Sequence, residues 1–385
     1  MKRFILSLFS LCAIMACGDN AADLDNSNNG DNQQQATSSF TKGADISWYT
    51  EMENDGVKFY NSNGTETSCP TLMKQLGMNA VRLRVWVNPE NAACNYCNEQ
   101  DVVNKAIAAK KEGLDVMVDF HYSDLWADPS RQETPKAWKN LSLDKLCNKV
   151  AEHTLSVLNS IKQAGVTPKW IQIGNETRSG MLYPTGSQYV LNDNNLPLTD
   201  ASGQWKKKAD GWSNFAKLYM AGYNAAKQVF ADAKVMPHLN HAYDVDGNTW
   251  WLDQLKANGG QFDMVGYSHY PQVDDDSKTA AQLNALAINC IKKTNEKYSV
   301  PVMVVEFGVK TNDNESEAAN VAQSFMNSIK NLTTSVCAGI FYWEPEVYNN
   351  WRPVSYTTFF DNWGAYNMGA FTNNGKPSSV LNAWK

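Results

Sequence analysis

Eight short apolar runs, each followed by a helical or loop-rich stretch, constrain this 385-residue chain more than any other feature. They span residues 43–48, 80–87, 114–121, 170–174, 233–238, 262–267, 302–306 and 338–343. Amphipathic segments lie between them, among them 102–112, 144–164, 214–229 and 318–330. Strands that alternate with helices form a parallel sheet covered on its outer face, and eight such units close into a (β/α)8 TIM barrel. A doubly wound open sheet is the alternative, but no GxGxxG follows an early strand. No low-complexity linker interrupts the chain from Thr41 onward, so 41–385 reads as one domain.

The second run exposes the barrel geometry directly. Val81, Leu83, Val85 and Val87 alternate with Arg82, Arg84 and Trp86. A period of two sends the first set toward the helices and the second into the lumen. In the third run Val116, Val118 and Phe120 face outward, while Asp119 and His121 share the inward parity. Inward arginines need carboxylates or polar ligands, because an unpaired buried charge is expensive. Arg82 and Asp119 fit a salt-bridged structural layer as well as a functional one. Arg84, Trp86 and His121 lie nearer the C-terminal strand ends, where barrel active sites are built.

Two glutamates end apolar strands on that same face. The fourth strand closes on Gln172-Ile173-Gly174-Asn175-Glu176, and the seventh on Val304-Val305-Glu306-Phe307-Gly308. Simple alternation groups Val302, Val304 and Glu306 on one side. Glycoside hydrolysis needs such a pair: one carboxyl protonated to donate to the leaving oxygen, the other ionised to attack or to activate water. An inward arginine would lower the pKa of the ionised partner, and apolar, aromatic surroundings would raise that of the acid.

The aromatic content fits a sugar ligand. Thirteen Trp and 16 Tyr offer flat apolar faces with polar edges, suited to stacking on pyranose rings, although a merely aromatic-rich core is the alternative. Net charge is −6 and no basic stripe interleaves with aromatics, which argues against a nucleic-acid partner.

The first forty residues read as targeting. Lys2 and Arg3 precede an apolar run, 4–16, too short to span a bilayer. The run leads through Ile14-Met15-Ala16 into Cys17, which resembles a bacterial lipobox. That resemblance implies a signal peptide over 1–16, lipid attachment at Cys17, and a polar tether over 17–40 that lacks any core-forming pattern. The expected location is the outer membrane, at the cell surface. An exported chain permits disulfides. Cys94-Asn95-Tyr96-Cys97 has no second ligand pair for zinc, so a bridge within this loop, or from it to Cys69, is expected.

Several longer strings make the glutamate pair specific. They include Gly43-Ala44-Asp45-Ile46-Ser47, Val81-Arg82-Leu83-Arg84-Val85-Trp86-Val87-Asn88-Pro89 and Asp119-Phe120-His121-Tyr122-Ser123-Asp124. Trp126-Ala127-Asp128-Pro129, Pro135-Lys136-Ala137-Trp138, Gly180-Met181-Leu182-Tyr183-Pro184, Gly266-Tyr267-Ser268-His269-Tyr270-Pro271 and Tyr342-Trp343-Glu344-Pro345 extend the match. With Asn175-Glu176 and Glu306, the chain resembles the retaining barrel glycosidases and, within them, glycoside hydrolase family 53, the arabinogalactan endo-β-1,4-galactanases. The resemblance implies that Glu176 is the acid/base and Glu306 the nucleophile of a double displacement on β-1,4-galactan. It further implies that Asn175 binds the sugar 2-hydroxyl, that Tyr270 and Arg84 hold Glu306, and that Trp343 floors the subsite upstream of the cut. Asp45, Trp86, His121 and Asp124 would line the cleft. A monomer without cofactor is expected.

Two departures stand out. Tyr183 occupies a position where the family commonly has Trp, which would alter one stacking surface. The segment 310–315 lacks the Gly-His part of a calcium loop found in bacterial members, and 244–248 lacks a distal bidentate glutamate, so structural calcium is not favoured and both read as solvated loops. Other retaining β-1,4-glycan hydrolases, such as mannanases, and a non-catalytic glycan-binding lipoprotein remain as alternatives. The long stretch 177–212 would shape the leaving-side subsites.

Overall fold

The computed structural model describes residues 39–90, 93–183, 209–348, 351–354 and 367–385. Cys17 and the tether up to residue 38 lie outside the described residues, as does the part of the post-strand-four stretch from 184 to 208.

Among the described residues, nine strands form one all-parallel sheet: β1 (Thr41–Asp45), β2 (Ala80–Val85), β3 (Asp115–Phe120), β4 (Trp170–Ile173), β5 (Lys234–Met236), β6 (His238–Leu239), β7 (Val265–His269), β8 (Val302–Phe307) and β9 (Cys337–Trp343). Their order is β5-β4-β3-β2-β1-β9-β8-β7-β6. The two end strands are consecutive in sequence, parted only by Pro237, so the sheet curls round on itself into a barrel. The run expected as one fifth strand is split there because proline has no N–H to give to a ladder. Eight expected strands thus become nine pieces, and the expected seventh strand is β8.

Helices fill the crossovers: α1 (Tyr49–Asn54), α2 (Cys69–Gln75), α3 (Glu99–Lys111), α4 (Leu143–Gln163), α5 (Ala209–Val229), α6 (Val245–Ala257), α7 (Ala280–Tyr298) and α8 (Glu315–Lys330). Local chemistry starts several of them. Asn98 and Asn314 accept the N–H of Asp101 and Glu317, and Thr279 with Gln282 forms a reciprocal capping box at α7. In α4 the residues Leu146, Val150, Val157, Leu158 and Ile161 recur at helical spacing and are buried. Each such side chain contributes about 1.5–3 kcal/mol on burial, which holds the helix against the barrel wall.

The lumen is layered. Ala80, Met117, Trp170, Met236, Met264, Met303, Val305 and Phe341 form its apolar floor. Gly43 keeps this floor closed: a Cβ there would lie 2.3 Å from the Phe341 ring. One pleat higher, Arg82, Asp119, Gln172 and His238 are buried and polar. The inward parity read for β2 and β3 is therefore what the barrel adopts, and it carries side chains upward from oil to charge.

Candidate active site

Glu306 reaches the lumen by a route that simple alternation misses. Along β7, Tyr267 pairs with Val304 but Ser268 pairs with Glu306, so Val305 is passed over. A matching shift occurs against β9 between Val304 and Phe307. Met303 and Val305 point into the floor, and the irregularity turns the next side chain inward as well. The expected grouping of Glu306 with Val302 and Val304 is corrected: those two valines belong to the outer core.

The end of β4 lifts Glu176 by backbone conformation. Gly174 has φ +80, and a Cβ there would meet Thr177 at 2.4 Å. Glu176 itself has φ 48, in the left-handed region that costs a non-glycine residue about 1–3 kcal/mol. Its carboxyl lies 2.6 Å from the Ser268 hydroxyl oxygen, and its N–H points at His238 Nδ1, 3.2 Å away.

One guanidinium organises the layer beneath. Arg82 reaches Asp45 Oδ2 at 2.6 Å, Asp119 Oδ2 at 2.8 Å and Glu306 Oε1 at 2.9 Å. It also donates to Asn175 Oδ1 at 2.8 Å and Gln172 Oε1 at 3.2 Å. Tyr270 donates its hydroxyl to Glu306 Oε2 at 2.7 Å. The expectation that Arg84 holds Glu306 is corrected. Arg84 pairs with Glu344 at 2.5 Å and lies over the rings of Trp126, Trp86 and Trp48. The two arginines sit on successive inward positions of β2, and only the lower one reaches across the lumen.

Charge separates the two carboxyls. Burial pushes both above the ordinary carboxylate range. For Glu306, Arg82 and the Tyr270 hydroxyl pull the other way. Among the described residues no cation stands against Glu176, and the neighbouring Glu306 charge raises it further, well above its usual value. The proton shared by this pair therefore rests on Glu176. Carboxylate oxygens of the two residues approach within 4.8 Å.

Both glutamates line a cleft of about 210 Å3 together with His121, Trp126, Asp128 and Trp343. Asn175 and Tyr270 also face it. Asp45, Arg84, Trp86 and Asp124 are not among the described residues that line this cleft. Asp45 is fully buried against Arg82 and Ser47. Arg84 and Trp86 are enclosed in the tryptophan cluster. Asp124 fastens a loop by accepting Lys136 N–H at 2.8 Å. Tyr183 is buried and donates to Ser179 O, so it anchors a loop rather than presenting a stacking face.

Glu176, His238 and Glu306 could in principle converge on a metal ion. Their donor atoms are committed otherwise. Arg82 already supplies a positive charge to Glu306, and both nitrogens of His238 face hydrogen-bonding partners. The set suits proton chemistry. The segments weighed for calcium are helix caps: Asp244 accepts Gly247 N–H and pairs with Arg178, and Asn314 caps α8.

A model of glycosyl hydrolase family 53 matches residues 41–384. The chain belongs to this family. It is 31% identical over 333 residues, 80% of its own length and 90% of the relative's, to an arabinogalactan endo-β-1,4-galactanase of Thermothelomyces thermophilus. An endo-β-1,4-galactanase of Bacillus subtilis is 29% identical over 360 residues, 86% of this chain and 75% of that protein. A solved structure from work on two fungal β-1,4-galactanases superposes with TM-score 0.71 at 26% identity, covering 90% of this chain and 99% of its own.

This family 53 glycoside hydrolase also contains site residues that sequence reasoning left without a role. Trp126 and Asp128 stand in a quoted motif, yet only the folded loop brings them over the cleft. Ser268 and His238 come from β7 and β6, and neither strand carries a terminal carboxylate to draw attention to it. The expected bridge of the Cys94–Cys97 loop is absent: all six described cysteines are free thiols. Cys97 is buried with its sulfur toward Ser47 O at 3.7 Å, whereas Cys94 is exposed.

Proposed function

We propose that this enzyme is an endo-β-1,4-galactanase that cleaves with retention, using Glu306 as nucleophile and Glu176 as acid/base. The observation that carries the reading is the spacing and unequal surroundings of the two carboxyls. An approach within 4.8 Å fits the retaining arrangement, about 5–5.5 Å, and leaves little room for the water that inverting pairs hold across about 6.5–9.5 Å. Glu306, kept ionised by Arg82 and Tyr270, attacks the anomeric carbon while Glu176 gives its proton to the departing glycosidic oxygen. Water then replaces the leaving sugar, Glu176 takes its proton, and the oxygen attacks the anomeric carbon as the bond to Glu306 breaks. Asn175, at the cleft wall, is placed to bind the 2-hydroxyl, and Trp343 to stack on the ring upstream.

Galactan as substrate is supported by the names of the relatives above. Linear β-1,4-galactan should be cut to oligosaccharides, with β-1,4-mannan left intact. Faster release of reducing ends from mannan would refute the substrate assignment. The lipobox-like run into Cys17 supports export as a lipoprotein to the outer membrane, facing outward because a polysaccharide is too large to enter, and action there as a monomer. Cys17→Ser should move the protein from the membrane to the soluble fraction with activity intact; continued membrane association would refute the anchor.

A further inference from the structure

Ser268 lies between the two catalytic carboxyls and is fixed from behind by His238. Its oxygen is 2.6 Å from Glu176 Oε1, 3.4 Å from Glu306 Oε2 and 2.7 Å from His238 Nε2. Both side chains are buried, and neither is among the described residues that line the cleft.

The tautomer of His238 follows from its neighbours. The backbone N–H of Glu176 points at Nδ1 from 3.2 Å, and a backbone nitrogen can only donate. Gln172 Nε2 approaches the same Nδ1 at 3.0 Å. That amide is oriented chemically, because its nitrogen also faces the Asp119 carboxylate and its oxygen accepts from Arg82. Asn175 Oδ1 is 3.1 Å from Nδ1 and already has two donors within reach, Arg82 at 2.8 Å and Gln172 Nε2 at 3.3 Å. Two donors converge on Nδ1, so it is bare and Nε2 carries the hydrogen. Burial together with the nearby Arg82 and His121 holds the imidazole well below its usual pKa, which keeps it neutral. His238 therefore donates to Ser268, and the serine has a single hydroxyl proton left for two carboxyls.

Resting on the retaining mechanism above, we propose that Ser268 is a positioning residue whose hydroxyl turns toward whichever catalytic carboxyl is ionised. In the free enzyme Glu306 carries the charge and Glu176 the proton. In the glycosyl-enzyme Glu306 is an ester, Glu176 has lost its proton to the leaving oxygen, and the Ser268 hydroxyl serves Glu176 at the shorter distance. Its O–H bond never breaks; only its direction changes. When water is deprotonated by Glu176 and the ester bond returns its electron pair to Glu306, the hydroxyl turns back. The buried charge thus keeps a donor through both steps, without a competing proton entering the site.

The test is the pH profile of kcat/KM on galactan for the unaltered enzyme, Ser268→Ala and Ser268→Thr. A donor to a carboxylate favours its ionised form, so losing it raises the pKa. In Ser268→Ala the acid limb, set by Glu306, should move up by about one pH unit, and the alkaline limb, set by Glu176, by less, because there the hydroxyl serves a carboxylate both before and after the proton leaves. Ser268→Thr keeps the hydroxyl and should restore both limbs. Nitrogen NMR of His238 should show bare Nδ1 and protonated Nε2 between pH 5 and 8. Unmoved limbs in an active Ser268→Ala enzyme, or a protonated Nδ1, would overturn the role given to Ser268. Failure of the unaltered protein to cut galactan would instead remove the substrate assignment.

Discussion

Arg82 and Arg84 are two residues apart on one strand, equally buried and both charged, yet they do different work. Arg82 stands among Asp45, Asp119 and Glu306, so the charge of Glu306 is one of three it balances. Arg84 is enclosed by Trp48, Trp86 and Trp126 and pairs with the Glu344 carboxylate at 2.5 Å. Both guanidinia carry the desolvation penalty of a buried ion. The first holds the charge of Glu306, the nucleophile we propose, and the second fixes the wall behind Trp48, whose ring lies 5.5 Å from that of Trp343. An arginine's residue type and parity place it in the lumen; which carboxylate it meets depends on what the opposite strands bring there.

The largest expected effect lies at the residue Arg82 serves. Glu306→Ala should lower galactan hydrolysis by on the order of 10⁴-fold or more, because no glycosyl-enzyme can form. Glu176→Ala should differ in kind. With an aryl galactoside whose leaving group needs no proton, the intermediate should form quickly and accumulate, and azide should release it as the β-glycosyl azide. Azide rescue of Glu306→Ala should give the α product; exchanged outcomes would reverse the two roles.

A more discriminating break compares the arginines themselves. Arg82→Met and Arg84→Met each strand buried carboxylates, so both should cost on the order of 3–5 kcal/mol in chemical denaturation. Only Arg82→Met should also reduce kcat, by roughly 10²–10³-fold measured on the folded fraction, because it removes charge from beside the reacting centre. Equal losses of kcat in the two variants would erase the distinction.

The smallest effect concerns the wall around Arg84. Burial raises Glu344 to about 7 and Glu51 to about 7. For a carboxyl whose folded pKa is raised, the fold prefers the protonated form. Stability from these groups is complete below their ordinary values and is lost as pH rises from there through about 7. Tm should therefore fall by several degrees between pH 5 and pH 7.5, and Glu51→Gln, which can still accept the Val354 N–H, should flatten that slope. An unchanged slope in Glu51→Gln would deny Glu51 a part in it.

Much of this was legible in the amino-acid order. Alternation along 81–87 and 116–121 placed Arg82, Arg84, Asp119 and His121 in the lumen, because a strand within a barrel has two sides and no other choice. The two glutamates stood at strand ends for anyone to read. What could not be read were contacts between strands far apart in sequence. The bulge that turns Glu306 inward is a property of its pairing with β7 and β9, and the choice between Arg82 and Arg84 is settled by where Glu344 arrives. The cysteine spacing suggested a bridge, but the packing of Cys97 toward Ser47 directs its thiol into the core. Asp124 sits in a motif that reads as cleft, whereas its carboxylate is taken by a loop N–H.

The central claim is that Glu306 forms a covalent bond to the sugar that Glu176 later helps to break. Its most direct test is proton NMR of the anomeric configuration of the first product released from a linear β-1,4-galactan oligosaccharide, recorded before mutarotation. The account predicts that the new reducing end appears first as the β-anomer. An α-anomer appearing first would mean a single displacement by water, and would contradict it.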